Sequence, residues 1–157
     1  IREGDSVVID VGGLVDGYHS DMTRTYLIGQ VAPELSEIHD LVLCAQREGV
    51  LAVQPGVSGS SIDEVCRSII AEAGYGPDFI HGTGHGVGLQ IHEMPWVRSD
   101  FMEPLQCGEV VTVEPGVYRV GVGGVRIEDL ILVTATSSQT LTLSQKESLC
   151  LPSRRMI

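Results

Sequence analysis

No run of apolar residues in this 157-residue sequence approaches the length of a membrane-spanning helix, so a helical transmembrane reading is excluded. Cys-x-x-Cys spacing is also missing. Cys44, Cys66, Cys107 and Cys150 are scattered, which argues against a thiolate metal site. Cys44 and Cys66 fall on apolar stripes of expected helices, where free cysteine behaves as a small hydrophobe, so a reducing, cytoplasmic compartment is expected. Positive charge is scarce: 10 Lys and Arg against 21 Asp and Glu leave a formal charge of −11. That balance argues against a nucleic-acid backbone as partner. The opening Ile1-Arg2-Glu3-Gly4 has neither an initiator Met nor a signal-peptide layout and reads as cut from a longer protein. Tandem repeats and low-complexity segments are absent. What is there is ordinary for a globular protein, 43% hydrophobic and 20% charged with 19 Gly. The length suits one domain, residues 1–157, with a real core.

Residues 5–28 read as a β-hairpin, with two alternating runs on either side of Asp16-Gly17, a strong two-residue turn signal. The spacing of Leu35, Ile38, Leu41, Val42 and Ala45 predicts a helix from about Pro33 to Val53, stopped by Gln54-Pro55-Gly56. A second helix is expected to open with Ser61-Ile62-Asp63-Glu64 as a capping box and to close at Gly74. Its apolar stripe is Ile62, Val65, Cys66, Ile69, Ile70 and Ala73. A Gly/His-rich loop from His81 to His92 follows, then strands over Glu109–Glu114 and Val125–Val133. A short strand is expected at Leu141-Thr142-Leu143, with the last residues frayed. Strands, then helices, then strands indicate an α+β fold in which helices back a mainly antiparallel sheet.

Within this layout several polar residues stand out. If Asp16-Gly17 form the turn, Val15 pairs with Tyr18, Gly12 with Asp21 and Asp10 with Thr23. Asp10 and Asp21 then leave the same face as diagonal neighbours, roughly 6–8 Å apart, close enough to share a cation. A solvated hairpin face would explain the pair equally well. Glu114 and Glu128 sit on strands that are otherwise apolar on both faces, so each must be paired, protonated or metal-bound. Arg126 could satisfy them as an ion pair. His81, His85 and His92 lie within twelve positions, among glycines that let the backbone approach a ligand. His39 and Asp40 are read as ordinary polar residues. Taken together, Asp10, Asp21, Glu114 and Glu128 carry four negative charges that two divalent cations would cancel. With one imidazole this is a mostly oxygen donor set, favouring Mn on hardness, with Co, Zn and Fe as alternatives. Two such ions activate water and polarise a carbonyl, which points to amide hydrolysis.

Five ordered segments carry a family resemblance: Asp10-Val-Gly; Gly17-Tyr-His-Ser-Asp21-Met-Thr-Arg24-Thr; His81-Gly-Thr-Gly-His85-Gly-Val-Gly; Val113-Glu114-Pro-Gly-Val-Tyr118; and Val125-Arg126-Ile-Glu128-Asp129. Together they resemble the pita-bread metallopeptidases, a group containing Xaa-Pro aminopeptidase, Xaa-Pro dipeptidase (prolidase) and methionine aminopeptidase. The match runs from about Asp5 to Thr134. The resemblance implies a curved antiparallel sheet backed by helices, and a site in which Asp10 binds one metal, Asp21 and Glu128 bridge, and His85 and Glu114 hold the other. It further implies that His92 contacts substrate near the scissile bond, and that His81 and Arg126 line the proline-side pocket. Arg24 and Arg126 resemble the Xaa-Pro members, so the implied substrates are peptides with proline in second position. The alternatives are a methionine-type aminopeptidase or a noncatalytic peptide-binding domain, and self-association is left open. Pita-bread domains are longer than this chain, and their first half precedes the Asp10 motif. The sequence therefore reads as the later part of a catalytic domain, expected to hold the metals but to be a poor catalyst alone.

Overall fold

The computed structural model describes residues 1–147 and the backbone of 149–151. The last residues, 152–157, expected to fray, and the Cys150 side chain lie outside the described residues. The first strand, β1 (Ser6–Val11), leads through a short ladder of β2 (Leu14–Val15) and β3 (Tyr18–His19) into β4 (Met22–Ile28). Val15 faces Tyr18 across the turn, and Asp10 faces Thr23. Asp16 and Gly17 both have positive φ, 51° and 87°, as a tight hairpin turn of this twist requires. The expected pairing of Gly12 with Asp21 is not made. The ladder lapses there because the Gly13 N–H goes to the Ser20 hydroxyl, while the Ser20 N–H goes to the Gly13 carbonyl.

Helix α1 (Pro33–Ala52) starts with proline at its first position, where the missing N–H costs nothing. It buries Leu35, Ile38, Val42 and Ala45, but Cys44 falls outside that stripe and is exposed, contrary to expectation. Helix α2 (Gly59–Glu72) begins two residues earlier than expected. Ser58 is its N-cap, accepting from the Ser61 N–H at 3.2 Å, so Ser61 and Glu64 form no capping box. Glu64 instead accepts from the Ser68 hydroxyl, and Asp63 turns inward. Ile62, Cys66 and Ile70 are buried on this helix.

The remaining strands are β5 (Gly84–Gly86), β6 (Glu93–Val97), β7 (Val110–Val113), β8 (Gly116–Arg119), β9 (Gly123–Arg126), β10 (Asp129–Val133), β11 (Ser138–Thr140) and β12 (Leu149–Leu151). An antiparallel sheet runs β11-β10-β7-β5-β6, β8 and β9 form a hairpin, and β12 joins β4 in parallel. The single strand expected over Val125–Val133 is thus two strands. The chain breaks at Ile127-Glu128 because the Glu128 N–H leaves the hairpin and donates to the Thr23 carbonyl of β4. The late strand expected at Leu141–Leu143 forms at Ser138–Thr140 instead, and Leu141 continues only with a bond to the Leu130 carbonyl. α1 packs on β7, β8 and β9, and α2 packs on α1 and β6. Between them a core of aliphatic side chains, Val111, Val113, Ile127 and Ile131 among them, is fully buried. Each contributes about 1.5–3 kcal/mol relative to exposure. Among the described residues no helix is long and apolar enough to cross a membrane.

Candidate metal centre

The lapse in the first hairpin and the break before β10 both deliver acids to one place. Asp10 near the end of β1, Asp21 just before β4, and Glu128 at the break present oxygens within 4.8 Å of one another. Glu128 belongs equally to a second group of the same span with His85, on β5, and Glu114, just past β7. Asp21 also reaches across, forming a third group with His85 and His92. The structure thus brings Asp10, Asp21, His85, Glu114 and Glu128 together, and three of them, Asp21, His85 and Glu128, each belong to two groups.

Local geometry aims each donor. His85 lies on a strand rather than in the expected loop. A Cβ at Gly84 would overlap the Thr112 carbonyl oxygen, so only glycine lets β5 lie this close to β7. The Thr112 hydroxyl accepts the His85 N–H at 3.0 Å and donates to Glu114 at 3.0 Å. His85 Nδ1 lies 3.1 Å from the Gly86 carbonyl, which suits a proton there and turns Nε2 toward the acids. That Nε2 is 3.1 Å from Glu114 and 3.8 Å from Asp21. Glu128 accepts from the buried Thr23 hydroxyl at 2.6 Å.

The electrostatics test whether these residues fit a cation. Burial, then the neighbouring Glu114 carboxylate, pushes the Glu128 pKa up to about 8. Burial and the charge of Asp10 raise Asp21. Burial opposes charge on His85, but the Glu114 carboxylate, the Gly86 carbonyl and Asp21 outweigh it and raise its pKa. Arg126 pairs with Asp10 and approaches Glu114 at 3.9 Å, but no basic group is paired with Glu128 among the described residues. Four converging carboxylates with one arginine among them are a costly arrangement without added positive charge. The donor set therefore fits divalent cations.

His92 is exposed, its ring 4.3 Å from that of His85. His81 and Arg126 meet through Tyr118, whose hydroxyl accepts from Arg126 at 2.9 Å and lies 3.0 Å from His81 Nε2. These three close one side of the acidic cluster, and a cavity of about 270 Å³ beside it is lined by His81, His85, Trp96, Arg98, Glu114 and Arg126. His39 and Asp40 join none of the ligand groups. Sequence reasoning assigned no role to Thr23, Thr112 or Tyr118. Thr23 could have been found, since its register opposite Asp10 was read correctly. Tyr118 depends on a contact across the β8–β9 hairpin, and Thr112 on one between strands, so neither leaves a local signal.

The profile of metallopeptidase family M24 matches residues 1–135. The Xaa-Pro dipeptidase of Pyrococcus horikoshii is 46% identical over 147 residues, covering 94% of this chain and 42% of that protein. Among solved structures, a dipeptidase from Mycobacterium ulcerans superposes with a TM-score of 0.93 at 39% identity, over 97% of this chain and 41% of that one. An X-Pro aminopeptidase from Thermotoga maritima gives 0.92 at 37% identity, over 96% and 43%. The chain spans about two-fifths of the length of the relatives it matches.

Proposed function

The chain belongs to metallopeptidase family M24, with the pita-bread α+β fold of its structural neighbours, and on that premise we propose that it hydrolyses the bond between an N-terminal residue and proline. The chain would be the metal-bearing part, residues 1–157, of a longer catalytic domain. The observation that carries this reading is the sharing of Glu128 and Asp21 between adjacent ligand groups. Asp10 would hold one divalent ion and His85 with Glu114 the other, with Asp21 and Glu128 between them. Two divalent ions, with Mn favoured by the oxygen-rich set, would supply an activated water and polarise the scissile carbonyl. His92, exposed and in ring contact with His85, would orient the peptide there. His81 and Arg126, locked together by Tyr118, would shape the pocket for the proline ring. The three unpaired described cysteines fit a reducing, cytoplasmic setting.

The test is hydrolysis of Ala-Pro against Met-Ala by the longest protein that carries this chain. Ala-Pro should be cleaved faster, and a chelator should stop it. His92→Ala should keep its metal while turnover falls. Preference for Met-Ala would move the protein to the methionine-type enzymes. Peptide binding that ignores the chelator, without hydrolysis, would make it a binding domain.

A further inference from the structure

Behind the acidic cluster lies a second buried group of charges that the proposed reaction does not use. Asp129, directly after Glu128, is 1% exposed and accepts from Arg24 at 2.8 Å, Gln46 at 3.0 Å and Lys146 at 2.5 Å. Lys146 also donates to the Gln46 amide oxygen at 2.8 Å, which turns the Gln46 NH2 toward Asp129. Arg24, equally buried, directs its other donors to four carbonyls. Two of them, Thr23 at 2.8 Å and Glu128 at 2.6 Å, belong to the residues that set the Glu128 carboxylate. The other two, Ser144 at 2.7 Å and Gln145 at 3.0 Å, belong to the C-terminal segment that brings in Lys146. The same segment is tied to β10 by the Leu130 N–H, which donates to the Thr142 hydroxyl at 2.9 Å.

We infer that Lys146 is a positioning residue for the cation site: through Asp129 and Arg24, the segment 141–147 fixes where the Glu128 carboxylate points. The inference rests on the proposed assignment of Glu128 as a shared ligand. Without the ammonium, Asp129 keeps Arg24 but loses its second counter-charge, and Gln46 loses the bond that orients it. Arg24 is then free to shift toward Asp129 and away from the Thr23 and Glu128 carbonyls. Groups that hold a ligand in place typically account for 10–100-fold in metal affinity. Charge alone predicts the opposite sign, because removing a cation behind an acidic cluster should tighten cation binding.

The opposed signs make calorimetric titration of the chain with Mn²⁺ decisive. Lys146→Met should bind Mn²⁺ about 10–100-fold more weakly than the unaltered chain. Lys146→Arg, which keeps charge and donor, should recover most of that loss. Urea midpoints of the cation-free chains would show that weaker binding is not partial unfolding. Lys146→Gln takes the place of the methionine variant if that one does not fold. Unchanged or tighter binding by Lys146→Met overturns the inference while leaving the ligand assignment intact. No Mn²⁺ uptake by the unaltered chain overturns the ligand assignment, and the inference with it.

Discussion

Replacing Glu128 with glutamine should stabilise the cation-free chain and abolish tight cation binding in the same molecule. Glu128 is 2% exposed, and burial followed by Glu114 lifts its pKa from 4.5 to about 8. In the window between those values the folded chain holds a proton that the unfolded chain releases. The group's contribution to stability is therefore complete below pH 4.5 and is lost as pH rises toward about 8. Each pH unit in that window is worth about 1.4 kcal/mol, so by pH 7 the chelated chain should have lost about 3 kcal/mol. Glutamine has no proton to give up. Urea unfolding of chelated protein across this pH range should show the slope reduced in Glu128→Gln, which should gain about 3 kcal/mol on the native chain at pH 7 relative to acid. Asp21, raised by burial and Asp10, leaves a residual slope in both, and the difference between the two profiles reports Glu128 together with its coupling to the other acids. Added Mn²⁺ should then reverse the order, stabilising the native chain and not the variant. Parallel pH profiles, or equal stabilisation by Mn²⁺, would refute the account of a crowded carboxylate cluster relieved by cations.

Three further outcomes follow from particular contacts. Arg24→Met takes one of the two counter-charges of Asp129 and leaves the buried Thr23 and Glu128 carbonyls without that donor, and should cost about 3–5 kcal/mol in urea unfolding, whereas a loss under 1 kcal/mol would mark the arginine as dispensable. Burial pushes the Cys66 thiol up to about 12, so alkylation of the folded chain at pH 8 should label exposed Cys44 and Cys107 and spare Cys66. Mass spectrometry showing Cys66 modified as fast as Cys44 would contradict the packing of α2. Trp96, the sole tryptophan, sits opposite His85 in the β5–β6 register, so cation binding should change its emission. An unchanged spectrum with metal bound would count against His85 as a ligand.

Much of the fold was legible because it is written in local periods. Alternation and the Asp16-Gly17 turn located the first hairpin and the Asp10–Thr23 pairing, since strand register follows from turn length. The 3.6-residue stripes located both helices. Boundaries that depend on competing partners were not legible: Ser58 rather than Ser61 caps α2 because Asp63 is drawn into the interior by Arg67 and Thr83. The break at Glu128 depends on a carbonyl from β4, 105 residues away along the chain in the Thr23–Glu128 contact.

The site divides along the same line. By itself the sequence determined which side chains carry charge and could donate to a cation, because residue type sets donor chemistry and the five segments keep those types in order. Only the tertiary structure decided that Glu128, Asp21 and His85 each stand in two clusters of potential donors, that Thr23, Thr112 and Tyr118 hydrogen-bond their neighbours, and that Lys146 reaches Asp129. The reason is physical. Coordination and hydrogen bonding act over a few ångströms in space, and the residues they join lie on elements that only packing brings together.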